Sequence, residues 1–173
     1  FGSGTILDTA RFRYLLSKKF DVDPRSVHAY IIGEHGDSEV AVWSLANIAG
    51  MTLTDYCQSN EMGCDDNELL QIFEQTRNAA YHIIERKGAT YYAVALTLVR
   101  ITEAILRDEN SVLPVSTLIN GYYDVSDVCL SLPCIVNRNG VKASLALTLS
   151  SQEEVQFRHS AETLKGIIKR IRF

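Results

Sequence analysis

The sequence predicts an α+β domain in which antiparallel strands pack with long helices. Three observations carry that reading. The second half holds a run of apolar, strand-like segments, two of them joined by Asn137-Arg138-Asn139-Gly140, a tight-turn signal. Two long helical patterns lie between Asp65 and about Arg107, separated at Lys87-Gly88. Hairpin-linked strands mixed with helices argue for α+β and against a doubly wound parallel sheet. At 173 residues the chain fits one domain with its own core, and no linker, repeat or low-complexity tract divides it.

The elements follow in order. Thr5 to Phe20 reads as a helix, with Ser3 or Thr5 as its cap and Ile6, Leu7, Ala10, Tyr14 and Leu15 near helical spacing. Asp23-Pro24 marks its end and a turn. Val27 to Ile32 reads as a buried strand ending at Gly33, and Glu39 to Gly50 is ambiguous between strand and helix. Asp65-Asp66-Asn67 opens a helix with acids at the favourable end, and Arg86-Lys87-Gly88 closes it with a basic turn and a glycine stop. Thr90 can cap the next helix, which reaches about Arg107. Val112 to Ile119, Val128 to Val136 and Ala143 to Leu149 read as strands. Ser151-Gln152-Glu153-Glu154 starts a closing helix that runs to Ile171.

Composition narrows the function classes. A hydrophobic share of 46% and a charged share of 22% are ordinary for a soluble globular protein, and a net charge of -4 without a basic cluster argues against nucleic acid as the main partner. No apolar run approaches the ~20 residues of a membrane span, and no signal peptide is visible, so a cytoplasmic protein is expected. Cys57, Cys64, Cys129 and Cys134 form no zinc-type spacing and are expected as free thiols, a disulfide or metal being the alternative.

Gly33-Glu34-His35-Gly36-Asp37-Ser38 places a histidine in a chain reversal, where its ring can face a cleft. Asp8 and Arg11, three apart, project from one helix face. That face offers a carboxylate able to orient and stabilise an imidazolium, and a guanidinium able to hold a substrate carboxylate through two hydrogen bonds. Together they are the parts needed to move a proton on a small carboxylic acid. The competing readings are a structural loop histidine and a local salt bridge worth a few tenths of a kcal/mol.

Gly2-Ser3-Gly4-Thr5-Ile6-Leu7-Asp8-Thr9-Ala10-Arg11-Phe12-Arg13 and the His35 segment resemble the two catalytic signatures of the L-lactate/malate dehydrogenase family. Lys87-Gly88-Ala89-Thr90-Tyr91-Tyr92-Ala93 resembles a third landmark, in the form seen in the bacterial L-lactate dehydrogenases. The resemblance runs from the first residue to the last. It implies that residues 1–173 are the substrate-binding, catalytic domain, with the dinucleotide-binding domain outside this chain.

It further implies a reaction and roles. Neutral His35 takes the hydroxyl proton of L-lactate while hydride leaves for NAD, and charged His35 returns the proton to pyruvate. Asp8 fixes the ring tautomer, and Arg11 clamps the substrate carboxylate. Thr90 bounds the pocket beside the substrate side chain, and Ser3 lies near the nicotinamide. The glycine-rich phosphate loop, the ribose-binding acid and a mobile-loop arginine are missing from these residues, so the isolated domain is expected to be inactive. No metal is expected.

Arg13 lies roughly 200° around the helix from Arg11 and faces away from the catalytic side. With His28, it matches positions that bind fructose 1,6-bisphosphate across a subunit interface in the allosteric bacterial enzymes, usually homotetramers. Malate or another 2-hydroxy acid is the alternative substrate, and an inert fragment is the alternative from another class. His82 and His159 receive no role, and Tyr91-Tyr92 reads as packing.

Overall fold

The computed structural model describes residues 1–171. Helix α1 (Ile6–Phe20) opens the fold, and the pairs β1 (Val27–His28) and β2 (Ile31–Ile32) follow a short 3-10 turn at Pro24–Ser26. Next come β3 (Val40–Ala41), β4 (Asn47–Ile48), β5 (Met51–Thr52) and the short helix α2 (Leu53–Ser59). Two long helices, α3 (Asp66–Lys87) and α4 (Tyr92–Leu106), precede the main sheet of β6 (Ser111–Tyr122), β7 (Val125–Asn137) and β8 (Gly140–Ser144). Helix α5 (Ser151–Arg170) closes the described chain. All pairings among these strands are antiparallel, in sheets ordered β1-β4-β5, β2-β3 and β6-β7-β8. The expected α+β class is the one observed.

Two apolar clusters form the core. One lies between the main sheet, α4 and α5, around Val115, Leu132, Ala104 and Phe157. The other lies beneath α1, where Phe12, Leu16 and Phe20 meet Val27, Ile31 and Ala41. The β2–β3 hairpin joins them. Ile32 and Val40 belong to the first cluster and Ile31 and Ala41 to the second, as period-2 alternation across a strand requires.

Several local expectations need correction. Neither Ser3 nor Thr5 caps α1 with its side chain. Thr5 occupies the cap position, but its hydroxyl turns inward and donates to the Ile31 carbonyl at 2.6 Å. The single strand expected over 27–32 is broken between two partners, β4 for its first part and β3 for its second. At the break the Arg13 guanidinium takes the Ala29 carbonyl and the Val42 amide takes that of Tyr30. The ambiguous stretch 39–50 is two short strands around a 3-10 turn at Trp43–Leu45.

Thr90 does not cap α4. That helix begins at Tyr92, with Tyr91 at the cap position and no side-chain hydrogen bond there. Asp65 and Gly88 bound α3 as the sequence implied, the first accepting from the Asn67 amide and the second at φ 83°.

The sheet differs at both turns. Tyr123 and Asp124, with φ of 48° and 62°, form the two-residue loop between β6 and β7, a left-handed pair that Asp tolerates but Tyr does not advertise. Between β7 and β8 only Gly140 has positive φ (87°), so Arg138 and Asn139 turn without the left-handed pair that Asn-Gly suggests. Strand β8 stops at Ser144 instead of reaching Leu149. Beyond it the Leu147 amide donates to the Tyr122 hydroxyl and the Leu149 amide to the Tyr123 hydroxyl, both at 2.9 Å. Side chains replace the ladder there.

The free-thiol expectation fails for one pair. Cys57 and Cys64 form a disulfide with Cα atoms 5.8 Å apart, brought together by the reversal at Asn60–Glu61 after α2. Cys129 and Cys134 are free.

Candidate active site

Helix α1 is pinned to the strand that leads into the histidine loop. Thr5 and Thr9, one helical turn apart, both hydrogen-bond Ile31: the Thr5 hydroxyl donates to its carbonyl, and its amide donates to the Thr9 hydroxyl at 3.0 Å. The loop from Gly33 to Glu39 is fixed independently. Gly33 exchanges backbone hydrogen bonds with Ser131 of β7 at 2.9 and 2.8 Å, and the Glu34 amide donates to the Ser160 hydroxyl of α5 at 2.7 Å. A Cβ on Gly33, whose φ is 87°, would lie 2.6 Å from that hydroxyl, so the close approach requires glycine. The Glu34 carboxylate also accepts from the Ser38 hydroxyl, closing the loop on itself.

Those anchors bring together three of the residues singled out from the sequence. Asp8 is buried and uses one oxygen for each neighbour. Its Oδ1 lies 3.3 Å from Arg11 Nη1, and its Oδ2 lies 2.5 Å from His35 Nδ1. The helical i,i+3 pair is therefore present, but as part of a three-residue array instead of a solvated surface contact. The His35 ring remains about half exposed, with 55% of its side-chain surface accessible. The Asp8 carboxylate, as acceptor facing the ring Nδ1, raises the His35 pKa, against an opposing but smaller effect of burial.

Two cavities flank the array. One, of about 340 Å³, is lined by His35, Ser3, Gly33, Ser116 and Ser131. The other, of about 620 Å³, is lined by Arg11, Thr90, His82, Arg86, Lys87 and Tyr92. Ser3 thus shares a cavity with His35, and Thr90 shares one with Arg11. Lys87 sits over the Tyr91 and Tyr92 rings at 4.1 and 4.5 Å.

Arg13 leaves the Asp8/Arg11 face. Its Nε donates to the Ala29 carbonyl at 2.8 Å and its guanidinium covers the Tyr30 ring at 4.8 Å. His28, the residue before Ala29, is exposed on β1. Arg13 thus reaches the backbone of the residue that follows His28.

Glu39 was missed from the sequence. It ends the histidine loop, is 7% exposed, and groups with Asp8 and His35 so that ligand atoms of all three lie within 4.8 Å of one another. The available signal was an acid four residues after the histidine in the same short loop. It was silent because loop acids are ordinarily solvated.

Comparison with known proteins follows the same lines. Residues 5–172 match the family model described as "lactate/malate dehydrogenase, alpha/beta C-terminal domain". The L-lactate dehydrogenase 1 of Clostridium acetobutylicum is 55% identical over 164 residues, covering 95% of this chain and 52% of the relative. An L-lactate dehydrogenase of Acetivibrio thermocellus is 57% identical over 168 residues, covering 97% and 53%. The crystal structure of minor L-lactate dehydrogenase from Enterococcus mundtii in the ligands-bound form superposes with a TM-score of 0.93 at 44% identity, over 99% of this chain and 55% of that one. The chain spans about half the length of the curated relatives it matches.

Proposed function

The chain belongs to the lactate/malate dehydrogenase family, and from that premise we propose that it is the substrate-binding, catalytic part of an NAD-dependent L-lactate dehydrogenase. The full-length protein interconverts pyruvate and L-lactate in the cytoplasm. The observation that carries this reading is Asp8 bridging His35 and Arg11 with one oxygen to each.

The chemistry follows from those three groups. Arg11 holds the substrate carboxylate through its planar fork, giving up part of its contact with Asp8 as it does so. His35 Nδ1 faces Asp8, which leaves Nε2 for the substrate oxygen. In the reducing direction the imidazolium donates its proton to the ketone oxygen of pyruvate. In the oxidising direction the neutral ring takes the hydroxyl proton of lactate. Because Asp8 favours the charged ring, the proton donor persists above the ordinary histidine range, which suits pyruvate reduction.

A nicotinamide dinucleotide, when bound, supplies the hydride or takes it up. The cavity shared by His35 and Ser3, walled by glycine backbone and small side chains, fits the flat nicotinamide end, and Ser3 would hold it there. Thr90 bounds the pocket on the side of the substrate methyl group.

A second site is assigned to fructose 1,6-bisphosphate. Arg13, braced at Ala29 and Tyr30, and His28, exposed on β1, offer two cationic groups to phosphate. In a homotetramer these residues meet another subunit, and the effector favours the form that binds pyruvate better, with reciprocal coupling.

The test is NADH oxidation by the full-length protein with pyruvate or oxaloacetate, with and without the bisphosphate. Pyruvate is expected to have the higher kcat/KM, and the bisphosphate to lower the half-saturating pyruvate concentration. A preference for oxaloacetate would make this a malate dehydrogenase, and no oxidation with either would mark an inert protein. Superposable pyruvate curves would leave Arg13 and His28 as ordinary surface residues.

A further inference from the structure

Glu39 is a buried acid that the proton chemistry above leaves unused. The other buried glutamate, Glu153, is fully engaged, accepting from the Ser44 amide and hydroxyl and from the Ser150 amide. Glu39 has no such partners: its Oε1 is buried without a hydrogen bond. A carboxylate in that state is costly, whereas a protonated carboxyl is tolerated.

Its surroundings are mixed in charge. Asp8 and Arg11 face it from α1, His35 from its own loop, and Arg77 from α3. Both cations are engaged elsewhere, Arg11 with Asp8 and Arg77 with Glu74 at 2.7 Å. Burial, followed by the negative charge of Asp8, pushes the Glu39 carboxyl up to about 8, with His35, Arg77 and Arg11 opposing. It therefore titrates beside the histidine range.

We propose that Glu39 is a positioning residue of the proton-transfer site, its carboxyl proton coupled to the imidazole proton of His35 so that these two groups, side by side with Asp8, gain and lose protons as one unit. This rests on the reading of His35 as the proton carrier. When His35 gives up its proton, a protonated Glu39 keeps the array at a single negative charge, that of Asp8. When Glu39 ionises, a second negative charge within 4.8 Å strengthens the hold of His35 on its proton. The observed midpoints then belong to the group of residues and not to His35 alone.

The experiment is an NMR titration of the His35 ring in the chain, with the signal assigned by His35→Asn, compared between wild type and Glu39→Gln. Two inflections are expected in wild type. Glu39→Gln is expected to leave one inflection, with its midpoint lowered by roughly one pH unit or more. A single inflection at the same midpoint in both proteins would overturn the proposal. Should Glu39→Gln fail to fold, the Glu39 carboxyl carbon is followed in wild type and in His35→Asn. Loss of the imidazolium is expected to move its midpoint upward, and an unmoved midpoint would overturn the proposal. Neither titration needs substrate or cofactor, so a failed coupling is distinguishable from a failed dehydrogenase assay.

Discussion

Asp8 serves two partners with one carboxylate, and that sharing decides what Arg11 can do. Arg11 is held at 3.3 Å by an oxygen whose twin faces His35, so its fork is aimed before substrate arrives. Replacing it by lysine keeps the charge but loses the second parallel hydrogen bond. In the full-length protein Arg11→Lys is expected to raise the pyruvate KM roughly tenfold or more, the size of one lost charge-assisted hydrogen bond. An unchanged KM would reduce Arg11 to a salt-bridge residue. At this scale the sequence was most informative where spacing imposes geometry: two helical residues three positions apart, Asp8 and Arg11, share a face, and glycines around a histidine favour a turn. Glu39 and the Cys57–Cys64 bond were illegible for the opposite reason. The burial of Glu39 among Asp8, Arg11 and Arg77 depends on elements distant in the chain, and a separation of seven residues says nothing about a reversal at Asn60–Glu61.

Turns explain most of what the sequence misplaced among the elements. A left-handed pair at Tyr123-Asp124 carries no glycine or asparagine to reveal it, and its tyrosine is retained by tertiary bonds. The Tyr123 hydroxyl donates to the Leu147 carbonyl at 2.8 Å and accepts from the Leu149 amide at 2.9 Å. The chain after β8 follows those hydroxyls instead of a neighbouring strand, so its apolar residues read as a strand that does not form. Helix ends were more legible, because caps are local. Asp65 and Gly88 bound α3, and Ser150 with Glu153 opens α5 as a reciprocal capping box. Thr5 and Thr90 failed as caps. Thr5 is claimed by Ile31, and Thr90 lies outside the first turn of α4. Tyr123→Phe is expected to lower stability by about 1–2 kcal/mol in urea unfolding, the cost of leaving two backbone groups without their partner. Unchanged stability would show that the hydroxyl does not hold this segment.

The two apolar clusters meet at the catalytic array, and this makes the site a property of the whole molecule. Helix α1 contributes Ile6 to one cluster and Phe12, Leu16 and Phe20 to the other, while the β2–β3 hairpin that carries His35 is divided between them in the same way. Asp8 and His35 therefore keep their 2.5 Å approach only while both clusters are packed. The α+β class was legible because it rests on long, strongly patterned segments. The convergence of α1 with the histidine loop was not legible from pattern alone, because it depends on Thr5 and Thr9 at Ile31 and on Gly33 at Ser131. The central claim is that His35 carries the proton. It is tested most directly by pyruvate reduction in the full-length protein, comparing wild type with His35→Asn across pH. Wild-type reduction is expected to decline only above the ordinary histidine range, because Asp8 raises the pKa of the ring. Turnover in His35→Asn is expected to fall by roughly two orders of magnitude or more, the contribution of a general acid–base group. Near wild-type turnover in a folded His35→Asn protein would contradict the mechanism.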